Sequence, residues 1–351
     1  MPITLAQAQI NARSQIDHAV IDNFRRYSYV LDRIVWDDTA TPGTGGAALS
    51  YGFTLLTEPR TAEFRALNQE YTAGSAVREQ RSVNLKPWGG SFTVDRVLSD
   101  LGPAQTNEVM FQMQQLLTST RARAQEEIIN GDTAVNANGF DGLDKLLTGS
   151  STEYIPGGSA MYADWSAATV NTQALANSRL DEIDEWLASI VPSTVGGGDQ
   201  GEPGALPPGE KAILGNTRSI ARFRALARWA SMYTSEKDEL GRLIERYGDW
   251  VLVNIGDKSD GSAPIIPIES RDPDGGGGGG TITNLTDLYA VTFGLDTLHG
   301  ATMAGKPLVR TWLPDFSTSG AVKSGEVEMG PGALVVRNTK GCGVFRGAKV
   351  A

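Results

Sequence analysis

One cysteine, Cys342, and two histidines, His18 and His299, are all the thiol and imidazole that 351 residues provide. That excludes an intramolecular disulfide framework and any thiolate metal cluster. Two histidines far apart in sequence cannot build a zinc-type site without several carboxylates recruited from elsewhere. Neither histidine is accompanied by a nucleophile motif such as Gly-x-Ser-x-Gly, so no hydrolytic triad is legible. Charged residues are sparse at 21%, and 31 basic against 41 acidic residues leave a net charge of −10. General tight binding to nucleic acid needs clustered Lys and Arg facing phosphates, which this balance opposes. No apolar run is long enough to span a bilayer. Met1-Pro2-Ile3-Thr4-Leu5-Ala6-Gln7 lacks a basic region followed by an apolar stretch, so the expectation is no signal peptide and an intracellular site of synthesis.

Glycine is what the chain has in quantity: 41 glycines and 16 prolines describe a folded, loop-rich protein of about two domains. Neither glycine run, at residues 196–204 or Gly275 to Gly280, is built for phosphate. A P-loop needs Lys-Ser or Lys-Thr after its glycines, and a dinucleotide fold needs a strand before and a helix after. Both read as surface loops. Cys342 lies among alternating strand residues, which suits a buried structural thiol; Lys340 and Arg346 nearby leave a reactive thiol as the alternative. Asp132, Asp141 and Asp144 lack the alternating donors and terminal Glu of a calcium loop, so capping and loop bonding explain them.

The strongest local pattern runs over residues 106–129. Val109, Met110, Met113, Leu116, Leu117, Thr120, Ala124 and Ile128 recur at helical spacing. Thr106 suits the N-cap, Glu108 the positive end of the dipole, and Asn130-Gly131 a left-handed stop. About 24 residues at 1.5 Å each make a rod of roughly 36 Å. A second helix is expected over residues 180–191, with Ser178 and Asp181 as its capping box and Pro192 ending it. Residues 6–36 show helical spacing that fits either an arm on a neighbour or an ordinary first helix. Residues 51–55 and 77–85 read as strands around a polar middle, and the second is polar on both faces. A polar two-stranded finger of that kind stands off the body and needs another subunit to hold it. Arg218, Arg222, Arg224 and Arg228 crowd one helix from Thr217 onward. They form either a solvated face or ion pairs to a neighbouring subunit around a ring.

The order of these segments resembles the major capsid proteins of tailed bacteriophages, the Hong Kong 97 type fold. The long helix and the turn Gly131-Asp132-Thr133-Ala134-Val135-Asn136 resemble that family's spine helix and its adjoining turn. Gly209-Glu210-Lys211-Ala212-Ile213-Leu214-Gly215-Asn216 before a basic helix, Tyr247 to Val253 and Ala263 to Ile268 are similar to further landmarks. Asp287 to Val291, Leu298-His299-Gly300, Gly332 to Asn338 and Val344 to Gly347 come next in the same order, so the resemblance covers most of the chain.

What the resemblance implies is an α+β subunit with an N-terminal arm at residues 1–40 and an extended loop at 41–91. A peripheral domain would take 92–192 and 306–351, both closing strands included, and an axial domain 193–305. It implies self-assembly into hexamers and pentamers, an icosahedral head around double-stranded DNA, and no enzymatic activity, cofactor or metal. It also implies a virion location after assembly in the host bacterial cytoplasm, with a separate scaffolding protein, a portal and a decoration protein as partners. Contact residues expected from it are Phe64 and Tyr71 in the loop, Trp88 at the loop's base, and Arg222 and Arg228 in the axial domain. Some relatives crosslink through a loop lysine, but no lysine precedes Lys86 here, so shells held without such bonds are expected. An encapsulin-like compartment of the same fold is the alternative job. A hydrolase with an unrecognised site is the alternative from another class.

Overall fold

The computed structural model describes residues 29–40, 49–58, 60–97, 108–156, 161–190, 209–229, 234–237, 243–273 and 280–351. Most of the expected N-terminal arm with His18, the Thr106 cap, Pro192 and the glycine run at 196–204 lie outside them, as does all but the end of Gly275 to Gly280. Helix α1 (Tyr29–Arg33) and strand β1 (Trp36–Ala40) precede the finger strands β2 (Ser50–Glu58) and β3 (Val77–Asn84). Next come β4 (Lys86–Asp95), the long helix α2 (Glu108–Asn130) and α3 (Leu143–Leu147). Short strands β5 (Glu153–Tyr154) and β6 (Ala163–Asp164) lead to α4 (Gln173–Ser189), β7 (Lys211–Gly215) and α5 (Thr217–Trp229). After them come β8 (Thr234–Lys237), β9 (Leu243–Tyr247), β10 (Trp250–Asn254), β11 (Glu269–Arg271) and β12 (Ile282–Thr292). The chain closes on β13 (Leu298–Met303), β14 (Val309–Trp312), β15 (Val322–Val336) and β16 (Cys342–Lys349).

Among the described residues, these strands form three sheets. The largest runs β5-β16-β12-β7-β10-β9-β8, with β6 beside β16 and β11 beside β12. A second runs β1-β13-β15, where β15 also pairs with β14 and, along its other edge, with β4. The finger β2-β3 is the third. Successive side chains of a strand point to opposite faces, and the nine-stranded sheet uses both. Leu214, Tyr289, Val291 and Val344 join a core with α2, α3 and the five-stranded sheet. Their neighbours Ile213, Leu288, Ala290 and Phe345 join a second core under α4 and α5. Burial on both faces explains why β12 reads Leu288-Tyr289-Ala290-Val291 rather than alternating with polar residues.

Four expectations need adjusting. The buried side of α2 is Met113, Thr120, Ala122, Ala124, Gln125, Ile128 and Ile129, whereas Met110 is nearly half exposed. Gln125 is fully buried because both of its side-chain polar atoms are bonded. Its Nε2 donates to Ile255 O at 2.8 Å, and its Oε1 accepts from Val30 N at 3.1 Å. Secondly, neither Asn130 nor Gly131 adopts a left-handed backbone. Gly131 is there for close approach, since a Cβ would lie 2.2 Å from Phe140 O and 2.4 Å from Glu127 O. Thirdly, α4 begins at Gln173, capped by Thr172, whose hydroxyl accepts from Leu175 N at 3.4 Å. Its first turns are small or polar apart from Leu175, so hydrophobic spacing shows only the second half.

The fourth concerns the closing strands. β15 lies in the sheet with β4, but β16 inserts between β5 and β12 in the other sheet. The turn Thr339–Gly341, capped by the Asn338 side chain, separates the two strands. β5, β6 and α4 accordingly share a sheet or a core with β7 to β12, on both sides of the expected border at residue 193.

Candidate functional site

Among the described residues, the finger is pinned at its base. Tyr51, Phe53 and Leu85 are buried in the first core, and Tyr51 donates its hydroxyl to Asp37 Oδ2 at 2.8 Å. From there β2 and β3 pair out to Glu58 opposite Val77. Every described residue from 60 to 82 is exposed. At the tip Phe64 and Leu67 have essentially no cover, and Tyr71 is more than half exposed. Local bonds shape this tip without giving it a core. Thr72 N donates to Glu63 Oε1 at 2.6 Å, Arg65 Nη1 donates to Gln69 O at 3.0 Å, and the Arg65 guanidinium lies 5.4 Å from the Tyr71 ring centre. Three large apolar side chains thus stand exposed on one element.

Trp88 stands at the finger's root. It sits on β4 opposite Met329, packs edge-on to Phe140 at 5.9 Å, and borders the first core. The arginines of α5 lie in the other layer, over the second core. Arg222 is half-buried, and its Nε donates to Val350 O at 3.0 Å. Arg224 holds Glu245 through two nitrogens at 3.1 and 2.7 Å. Arg218 and Arg228 are exposed, and neither guanidinium has a partner among the described residues. Phe64 and Tyr71 therefore share one tip, whereas Trp88, Arg222 and Arg228 lie elsewhere. The arrangement is a set of separated surfaces and does not converge on a pocket.

The groups with chemical potential are occupied by structure. Lys145 Nζ bonds Asp132 Oδ1 at 2.7 Å and Asp141 Oδ1 at 2.9 Å, and Asp141 also accepts from Thr133 N and Oγ1. The lysine hydrogen bond holds the Asp132 carboxyl below its ordinary range. Asp144 is taken by Arg346 and by Tyr289 Oη at 2.9 Å. An ammonium and a guanidinium thus stand where a calcium reading would put a metal. Burial pushes the Cys342 thiol up to about 12, so the sulfur stays protonated and unreactive.

His299 is fully buried beneath the finger's base, edge-on to Tyr51 at 5.7 Å, and neither ring nitrogen has a hydrogen-bond partner among the described residues. Burial lowers its pKa to about 4. A base with a depressed folded pKa contributes stability that is full above the unfolded value near 6.5 and is lost as pH falls towards 4. We expect urea unfolding to show a loss of about 3 kcal/mol from this group across that window. His299→Leu should flatten that part of the curve, and an unchanged slope would contradict the assignment.

Sequence reasoning passed over Gln125 and Arg346. Arg346 gathers Asp144, Glu153 and Asp287 around one half-buried guanidinium. The only trace of it in the sequence is a single arginine inside an otherwise apolar strand.

No family model matches this chain, and no curated protein matches its sequence. Solved structures do match along its whole length. A holo encapsulin complex from Synechococcus elongatus PCC 7942 is 14% identical, covering 99% of this chain and 97% of that one, with a TM-score of 0.59. The capsid of a native GTA particle is 10% identical over 95% of each chain, with a TM-score of 0.56. The capsid of Myoviridae phage XM1 is 12% identical over 98% and 99%, with a TM-score of 0.52. Likeness at that identity establishes the fold, which is the Hong Kong 97 type of phage capsids and encapsulins.

Proposed function

We propose that this chain, with its Hong Kong 97 type fold, is a major capsid protein whose copies assemble as hexamers and pentamers into an icosahedral head around double-stranded DNA. The observation that carries the reading is the finger: a strand pair with Phe64, Leu67 and Tyr71 in solvent at its tip and, among the described residues, its anchor at the base. Laid across a sister copy, that tip loses its apolar exposure, and many such modest contacts become strong through the multivalency of a lattice. A net charge of −10 suits a wall that lets packaged DNA slide. A separate scaffolding protein, a portal and a decoration protein are the partners in this reading, with assembly in the host cytoplasm.

The sheet pairings favour revised domain borders. In this proposal the peripheral domain is β4, α2 and β13 to β15, and the axial domain is the nine-stranded sheet with α4 and α5. The arm keeps its place at residues 1–40, and the loop expected at 41–91 gives up residues 86–91 to β4.

A second reading, an encapsulin-type compartment around a protein cargo, is favoured by the full-length likeness to an encapsulin. Negative-stain microscopy of the purified protein, followed by nuclease treatment and mass spectrometry of the contents, tests both. Closed shells from cells that also supply the packaging proteins, holding nuclease-protected DNA, are expected. Shells that hold an enzyme and no DNA would replace the first reading with the second. A persistent small monomer would contradict both.

A further inference from the structure

Helices α4 and α5 lie side by side over the same core, yet their charges are opposite. α5 carries Arg218, Arg222, Arg224 and Arg228 and no acidic residue. α4 carries Asp181, Glu182, Asp184 and Glu185 against Arg179 alone. No ion pair joins the two helices among the described residues. Arg224 turns to Glu245, Arg222 to a main-chain carbonyl, and Arg179 to Glu182 of its own helix.

What remains unspent is arranged in two ridges. On α5, Arg218, Ala221, Arg228 and Trp229 are exposed on one side at helical spacing. On α4, Ala174, Ser178, Asp181, Glu185 and Ala188 do the same. Each ridge is low, with Ala221 between the arginines of α5 and Ala174, Ser178 and Ala188 flanking the carboxylates of α4, so a second helix can approach closely. Asp181 has no ion-pair partner among the described residues, and Glu185 has only the Tyr154 hydroxyl, at 3.0 Å.

We propose that the α5 ridge of one copy docks on the α4 ridge of the next, with Arg218 and Arg228 facing Asp181 and Glu185. This contact rests on the shell reading and names its partner surface. The two ridges differ, so the contact is head-to-tail, and repeated by rotation it closes a ring with the helical layer running on from copy to copy. Trp229 supplies the apolar anchor at one end, and the ion pairs set register and partner choice.

Charge reversal tests it. R218E/R228E is expected to lower shell yield in sedimentation velocity about tenfold or more, because like charges then face each other across the contact. D181K/E185K is expected to do the same, and the chain carrying all four changes should recover most of the yield. Each variant's urea midpoint should match that of the unaltered chain. Should reversal lower the midpoint, R218Q/R228Q is read in its place, with a smaller loss of yield expected. Full yield from either single-helix variant, or no recovery in the combined one, overturns the pairing while unaltered chains still form shells. No shells from the unaltered chain would overturn the shell reading along with it.

Discussion

Arg346→Ala should destabilise the subunit by about 3–5 kcal/mol, the usual cost of removing one partner from a buried charge cluster. Arg346 is 16% exposed and reaches three elements at once. From β16 it pairs with Asp144 of α3, with Glu153 of β5 at 2.8 Å, and with Asp287 of β12 at 3.1 Å, and it donates to Thr148 Oγ1 at 2.8 Å. Burial works against the charged guanidinium, but Asp287 and Asp144 outweigh it, and the pKa ends above its ordinary value. Without Arg346, Asp287 keeps Arg271, which also serves Glu269, while Asp144 and Glu153 lose their guanidinium partner. Arg346→Lys keeps the charge but loses the planar fork, so it should fall between the parent and alanine. Urea unfolding of the unassembled subunit, followed by tryptophan fluorescence, measures the loss. A change below about 1 kcal/mol would mean water already solvates these carboxylates and the cluster is a surface pair.

The triple variant F64S/L67S/Y71S should abolish assembly and leave the subunit's own stability unchanged. The reason is that none of the three joins either core of its own subunit; the Tyr71 ring lies beside exposed Arg65. In a neighbour's keeping, each buried large apolar side chain contributes about 1.5–3 kcal/mol. A loss of about 4 kcal/mol per contact raises the concentration needed for assembly about a thousandfold. Sedimentation velocity across a concentration series, beside urea midpoints, reads both quantities. Shells at the parent's concentration would show that the tip is ornamental. A parallel fall in the midpoint would show that it belongs to the subunit's own fold.

Local pattern made the long helix and the finger legible. Eight positions at helical spacing announce α2, and residues 77–84, polar on both faces, could not sit inside a core. Legibility ended where partners are distant in sequence. Alternation tells that Cys342–Lys349 is a strand, but its neighbours β5 and β12 lie some 190 and 60 residues away, and only packing selects them. The same separation hid Arg346, whose acids come from three elements. Gln125 carries no mark in the sequence, because its two bonds, to Val30 and Ile255, reach distant segments. Of the expected contact residues, Phe64 and Tyr71 could be picked out because a polar loop gives an aromatic ring no cover. Arg222 and Arg228 look equivalent in sequence, and only the backbone carbonyl of Val350 distinguishes them.

Whether sister copies complete the finger can be measured in a mixed assembly. Light-isotope chains carrying a photo-crosslinking phenylalanine analogue at position 64 are co-assembled with heavy-isotope chains, irradiated and digested. Crosslinked peptides pairing a light tip with a heavy partner are expected in proportion to the mixing ratio. Crosslinks found solely within light chains, at every ratio, would mean the tip folds back on its own subunit.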